Sequence, residues 1–247
     1  MPLDEAAALA WVDAGCSVIP IRADGSKAPN GPWKAAQTVK ASRDVVTGWL
    51  GHGGIGVVCG AVSGHLEMLE LEGRAITDGY GARLRAACRD NGVEQVLDTV
   101  MTGCRTRSPS GGYHLWYRVA DGPARGNMKL ARRPGTTQAV EVLVETRGEG
   151  GYAVVPPSNG TCHPSGLPWV LDEGSPATIP TITAITAITV ATTFTILARR
   201  ALNPLRTLPA HWNFIFFKHN DVFVIAGVSG YGSITEVSPT CGVCLAP

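Results

Sequence analysis

The sequence predicts an α+β protein with an open, polar working face on a β-sheet. Three observations carry that prediction. Several short segments alternate apolar and polar residues with period two, as half-buried strands do. They are interleaved with stretches of helical periodicity. The 247 residues include 30 Gly and 17 Pro, which imply many turns and short strands rather than a helical bundle. Apolar residues make up 45%, enough for a core and too many for a disordered chain.

Residues 4–14 (DEAAALAWVDA) read as a helix, with Asp4 as its cap and Gly15 at its C-terminal end. Cys16 to Ile21 is a short strand. Asp24-Gly25 then turns the chain, and Lys27, Pro29 and Pro32 hold an extended loop as far as Trp33-Lys34. Ser42 starts a second helix with Val45, Val46, Trp49 and Leu50 on one face. Ile55 to Cys59 reads as a buried strand. Residues 66–72 put Met68, Glu70 and Glu72 on one face, with Leu69 and Leu71 opposite. A helix carrying Tyr80, Leu84 and Cys88 follows and ends at Asn91-Gly92. Residues 113–119 set His114, Trp116 and Arg118 on one face; Tyr113, Leu115, Tyr117 and Val119 lie on the other. Residues 139–147 align Glu141, Leu143, Glu145 and Arg147, and a final strand runs from Tyr152 to Val155 before Pro156-Pro157.

The chain carries 21 Lys/Arg and 20 Asp/Glu, a net charge of +1. That balance excludes an acidic tail protein, and any nucleic-acid binding must use a local patch. Seven Cys, an odd number with scattered spacing and no basic-then-apolar leader at Met1, are expected to be reduced thiols in a cytoplasmic protein.

Two acids at i and i+2 on a strand point the same way, with Cβ atoms about 7 Å apart. Glu70 and Glu72 so placed are either the solvated face of an amphipathic strand or the two arms of a divalent-cation site. Glu145 completes a cluster if its strand is a neighbour. Ser110-Gly111-Gly112-Tyr113-His114 is either a plain hairpin turn or a Gly-rich turn whose N–H groups face a phosphate. Arg125, Lys129, Arg132 and Arg133 place four cations in nine residues, a solvated loop or a track for a phosphodiester backbone. Trp33 and Trp116 could stack bases, or belong to the core. Ser110 with His114 does not make a serine hydrolase, because no G-x-S-x-G elbow is present. Cys241 and Cys244 form a lone CxxC, and zinc is not predicted.

Taken in order, the segments AGCSVIPI, a Lys-x-Pro…Trp-Lys loop, IGVVCGAVSG leading to MLELEG, TRSPSGGYHLWYR and VLVETRGEGGYAVVPPS resemble one family. It is the bifunctional DNA primase–polymerase N-terminal domain of the archaeo-eukaryotic primase superfamily, common in phage and plasmid replication proteins. The resemblance covers roughly residues 5–172. It implies a catalytic sheet like an RNA-recognition motif packed on an N-terminal α/β unit. It also implies a template-dependent nucleotidyltransferase that uses single-stranded DNA, nucleoside triphosphates and two divalent metals, Mg²⁺ or Mn²⁺. Residue by residue, the family's metal-binding acids fall on Glu70, Glu72 and Glu145, and its phosphate-holding histidine falls on His114. Ser110, Gly111, Gly112, Arg147 and Lys34 are expected beside the nucleotide, and Arg125, Lys129, Arg132 and Arg133 on the template. The first signature usually begins with Asp, whereas both acids here are Glu, which reach one methylene further. A variant with both acids changed to Gln is expected to fold, since the pair is read as exposed. A non-catalytic nucleic-acid-binding module and a metal-dependent phosphoesterase are the rival readings. No Walker-type G-x-x-x-x-G-K-[ST] occurs, so a replicative helicase is expected on another polypeptide.

Charge is not uniform along the chain. Residues 1–172 hold 17 Lys/Arg and 17 Asp/Glu; residues 173–247 hold four and three. Residues 1–175 are accordingly read as the catalytic domain, and 176–247 as a Thr-rich linker and an atypical, loosely packed tail. The repeat ITAITAIT (182–189) has period three, which fits neither a strand nor a helix face. A short helix is expected near 190–202, and a membrane span is not, given the Thr density. Residues 211–228 contain strand-like apolar stretches without an evident partner.

Overall fold

The structure is a computed structural model that describes residues 3–51, 53–135 and 140–184, together with the backbone of two strands at 213–219 and 222–228. The chain divides into two compact units, Met1–Leu202 and Asn203–Pro247.

The first unit opens with α1 (Glu5–Asp13), whose Asp4 side chain accepts the Ala7 N–H at 3.1 Å as a cap. Strand β1 (Ser17–Ile21) follows, then α2 (Arg43–Thr47) and β2 (Gly54–Val58). Helix α2 is only five residues long, and of its expected face Val46 and Leu50 are buried while Val45 stays exposed. Strand β3 (Leu66–Leu71) leads into α3 (Gly73–Thr77), α4 (Tyr80–Asp90) and α5 (Glu94–Gly103). The remaining strands are β4 (Cys104–Arg107), β5 (Tyr113–Val119), β6 (Met128–Pro134), β7 (Val140–Arg147), β8 (Tyr152–Val155), β9 (Val170–Gly174) and β10 (Thr181–Ile182).

Two sheets result. A small antiparallel sheet has the order β1-β2-β8. The larger sheet runs β6-β7-β3-β5-β4-β9, antiparallel throughout, with β10 added parallel to the end of β5. This is an α+β architecture. Residues 176–184, assigned to the tail on composition, include β10 and so contribute to this sheet.

The period-two pattern sorts the larger sheet as expected. Leu69, Leu71, Leu115, Tyr117 and Val144 face α4 and α5, where they meet Tyr80, Leu84, Leu97 and Val100. Met68 and Trp116 face the other way and pack with Trp11 of α1, Val18 and Val57. The Trp11 and Trp116 rings meet edge to face with centroids 5.1 Å apart, and the Trp116 Nε1–H donates to Thr106 Oγ1 at 3.2 Å. Trp116 is therefore core, not a platform for bases. A third cluster, with Ile19, Ile21, Val154 and Trp169, lies on the small sheet.

The basic run at 125–133, read as a loop, is in large part the edge strand β6. A register shift on each side of Ala131 lets the adjacent Leu130 and Ala131 both bury, and that break in alternation hides the strand from a period-two reading.

In the second unit, β11 (Asn213–His219) pairs antiparallel with β12 (Val222–Val228). The two apolar stretches thus partner each other. The helix expected near 190–202 and the Cys241/Cys244 pair lie outside the described residues. Among the described residues no helix is long and apolar enough to cross a membrane.

Candidate active site

Residues directly opposite one another in an antiparallel sheet share a face. The registers Lys129↔Glu145, Glu145↔Glu70, Glu70↔His114 and His114↔Thr106 therefore form a single row across β6, β7, β3, β5 and β4. Two residues along, Met68 and Trp116 of the next row pack beneath α1 and the small sheet, while Arg147 at its end stays beside the cavity. The acidic row thus sits where cover by the N-terminal elements ends, at the floor of a cavity of about 440 Å³. Glu70, Glu72, His114, Glu145 and Arg147 line one side of it. Lys27, Trp33, Tyr152, His163 and Trp169 line it as well, and Ser108, Pro109 and Ser110 contribute the hairpin turn.

The three acids converge: one carboxylate oxygen from each of Glu70, Glu72 and Glu145 lies within 4.8 Å of the others. Glu70 and Glu72 are not the exposed pair expected, and Glu145 is recessed with them. Their side chains are 14%, 18% and 8% accessible, because the small sheet and its loops rise over the strand ends. That recess sets their charge. Burial opposes ionisation of Glu70, but the neighbouring His114 and Arg147 outweigh it and hold the carboxyl below its ordinary value. Burial pushes Glu72 up, and the Glu70 charge adds to the rise against the pull of Arg74. Burial also pushes Glu145 up; Arg147 opposes this and Glu70 reinforces it.

His114 Nε2 lies 3.4 Å from Glu70 Oε1, while its Nδ1 is buried without a hydrogen-bond partner. The imidazole thus stands beside a cluster acid rather than alone on the open face. Arg147 is ion-paired with Glu145, and Arg74 with Glu72 at 3.4 Å.

The Gly-rich turn is bonded within itself. Gly111 has φ +81°, which its lack of a Cβ permits. The Gly111 N–H donates to Ser108 O at 2.9 Å and the Gly112 N–H to Ser108 Oγ at 3.1 Å, so both donors are used within the turn. A Cβ on Gly112 would stand 2.5 Å from Leu71 O, and one on Gly73 only 1.8 Å from Ser110 O. The glycines let the turn pack against the segment that carries Glu72.

Lys34 opens a 3-10 turn (Lys34–Gln37), is exposed and does not line the cavity, whereas Trp33 does. The basic run divides. Arg125 is bound to Glu67, a fully buried carboxylate, at 2.9 Å, and Arg133 to Glu141 at 2.7 Å and to Asp78. Among the described residues Lys129 and Arg132 have no ion-pair partner, and both are exposed. The wall carrying Lys27, Tyr152, His163 and Trp169 went unassigned in the sequence, although the Lys-x-Pro…Trp spacing marks part of it.

A family model for the bifunctional DNA primase/polymerase N-terminal domain matches residues 8–182. The chain belongs to that family. The match contains every acid of the cluster, His114 and both walls of the cavity. Membership implies nucleotidyl transfer in DNA replication, with a DNA template and nucleotides as substrates. Comparison of the chain with curated proteins found no match.

The donor set fits a divalent metal. Three oxygen donors gathered within 4.8 Å suit a hard cation such as Mg²⁺ or Mn²⁺, and two of the carboxyls resist ionisation without one. A pH dependence follows. Glu72 and Glu145 hold protons to higher pH in the folded chain than in the unfolded one, so protonation stabilises the metal-free fold. That contribution is complete below the ordinary carboxylate range and is lost as pH rises through the raised values. A cation takes over the protons' role above that range. The rise in melting temperature on adding Mn²⁺ is therefore expected to be largest near pH 8 and to shrink towards about pH 5. A metal-induced rise that ignores pH, measured by thermal melts with and without EDTA, contradicts the site.

Proposed function

We propose that this chain is a template-dependent nucleotidyltransferase that makes and extends primers, using two divalent metals, in phage- or plasmid-type DNA replication. One observation supports this reading above the others: three carboxylates, from the neighbouring strands β3 and β7 and from the junction between β3 and α3, meet at the floor of a cavity large enough for a nucleotide. The larger sheet is then the family's catalytic sheet, of the RNA-recognition-motif type, and the small sheet with α1 its N-terminal unit.

In this reading Glu70, Glu72 and Glu145 hold the metals, which when bound lower the pKa of the attacking 3′-hydroxyl and stabilise the departing pyrophosphate. A bound metal would favour the ionised form of Glu72 and Glu145, which burial opposes. Arg147 gives up part of its contact with Glu145 and turns its guanidinium to the nucleotide phosphates. His114 keeps Glu70 oriented from one side. Ser110 Oγ, at the cavity lip, offers a hydroxyl to the phosphates. Lys129 and Arg132, exposed on β6 beside the cluster, meet template phosphates.

The test is incorporation of labelled nucleotide on a single-stranded template and on a primed template, with Mg²⁺ or Mn²⁺. Growth of the primer, and primers made from free nucleotides, are expected, both abolished by EDTA. Shortened primer ends would mark a phosphoesterase. Salt-sensitive DNA binding that ignores metal and nucleotide would mark a binding module.

A further inference from the structure

We propose that Lys27, on the loop after β1, is the cation that holds the phosphate tail of the incoming nucleotide from the wall facing the acid cluster. The inference rests on the nucleotidyltransferase reading and adds a residue to it.

Lys27 lines the cavity that contains Glu70, Glu72 and Glu145, although it lies more than forty positions upstream of them. Its backbone is unusual. Among the described residues only Lys27 and His65 hold a positive φ without being glycine, and that of Lys27 is 61°. A Cβ is disfavoured in this left-handed region, which suits glycine, so a lysine kept there points to a use for its side chain.

The surroundings hold the loop in that shape. Asp24 Oδ1 accepts from the Ser26 N–H at 2.9 Å, and Ser26 Oγ accepts from the Ala28 N–H at 3.1 Å. The Arg22 N–H donates to Ala28 O at 2.9 Å, closing the base of the loop. The Tyr152 hydroxyl donates to Lys27 O at 3.2 Å, tying the lysine to the cavity's own aromatic wall, where Tyr152 meets Trp33 edge to face. The ammonium is committed to nothing: no described residue forms an ion pair with Lys27. Its charge is nonetheless felt at Glu70, Glu72 and His163, as a downward pull smaller than the effect of burial on each.

A free cation on a hydrogen-bonded loop that lines the same cavity as a cluster of acids suits one kind of ligand. It must present anionic oxygens in two directions, towards metal on one side and ammonium on the other. A triphosphate tail does so. His163, on the same wall, accepts the Ser165 N–H at Nδ1 (3.1 Å), so the neutral ring carries its proton on Nε2 and adds a donor.

The test uses the full chain with Ca²⁺ as a non-turnover metal, and compares dATP, dAMP and a primed template as ligands. Lys27→Gly is expected to melt at or above the wild-type temperature, because glycine relieves the backbone. It is expected to bind dATP about tenfold more weakly or worse, as loss of a charge-assisted contact does. Its affinity for dAMP and for primed template, with the salt dependence of the latter, should be unchanged. Lys27→Arg should keep most of the dATP affinity. Unchanged dATP binding in Lys27→Gly overturns the proposal, as does an equal loss for dAMP. A flatter salt dependence of template binding also overturns it, by assigning Lys27 to DNA phosphates. If wild-type protein binds no dATP and extends no primer, the parent reading falls and the proposal with it. Wild-type activity with an indifferent Lys27 defeats the proposal alone.

Discussion

Glu72→Gln and Glu70→Gln are expected to move stability in opposite directions while both remove nucleotide incorporation. Burial and the Glu70 charge make ionised Glu72 costly, so the amide relieves the metal-free protein and its melting temperature rises by a few degrees. Glu70 is different. His114 and Arg147 favour its charged form over the cost of burial, so the amide forfeits those interactions and the melting temperature falls. Each variant takes one arm from the three-oxygen cluster, and incorporation should drop by at least about a hundredfold, as for other losses of metal positioning or charge stabilisation. Thermal melts in EDTA, run beside primer extension with Mn²⁺, separate the two effects. A destabilised Glu72→Gln, or a variant that still incorporates nucleotide at wild-type rate, would show that the three carboxylates do not act as one site.

Arg125→Met is expected to unfold the protein more readily and to leave its DNA contacts alone. The Glu67 side chain is wholly buried; it accepts from Arg125 Nη2 at 2.9 Å and from the Arg125 backbone N–H at 3.2 Å, and the Tyr117 hydroxyl donates to it as well. Removing the guanidinium strands a carboxylate in the core, which costs about 3–5 kcal/mol. Glu67→Gln in the same chain should restore much of the loss, since no buried charge then remains. Lys129→Ala and Arg132→Ala should each change stability by less than about 0.5 kcal/mol and lower the salt slope of DNA binding by about 1. Denaturant melts and DNA titrations at several salt concentrations check both halves. If Arg125→Met folds normally but flattens the salt slope, Arg125 serves the template after all.

The contrast between Arg125 and Lys129 shows where reading the chain in one dimension stops. Four cations in nine residues look alike in sequence, yet the partner of Arg125 is Glu67, 58 positions away, and one of the two partners of Arg133 is Asp78, 55 positions away. Only the fold brings those acids close. The Gly-rich turn behaves similarly. Its glycines were legible, but not the reason for Gly112, because the atom that excludes a Cβ there belongs to Leu71, across a packed junction. Lys27 was visible as part of an extended loop and of a family segment, but nothing local says that its loop lines the same cavity as the acids.

Alternation along β3 and β5 by itself determined which side chains share a face: Met68, Glu70, His114 and Trp116 on one, Leu69, Leu71, Leu115 and Tyr117 on the other. A strand's period of two is a local property of the backbone, so no partner is needed to read it. Strand order and register were decided by the tertiary structure alone. They set Glu145 beside Glu70 and slid the N-terminal elements over Trp116. Those choices depend on how distant apolar surfaces fit together, and they turn three scattered acids into one recessed cluster.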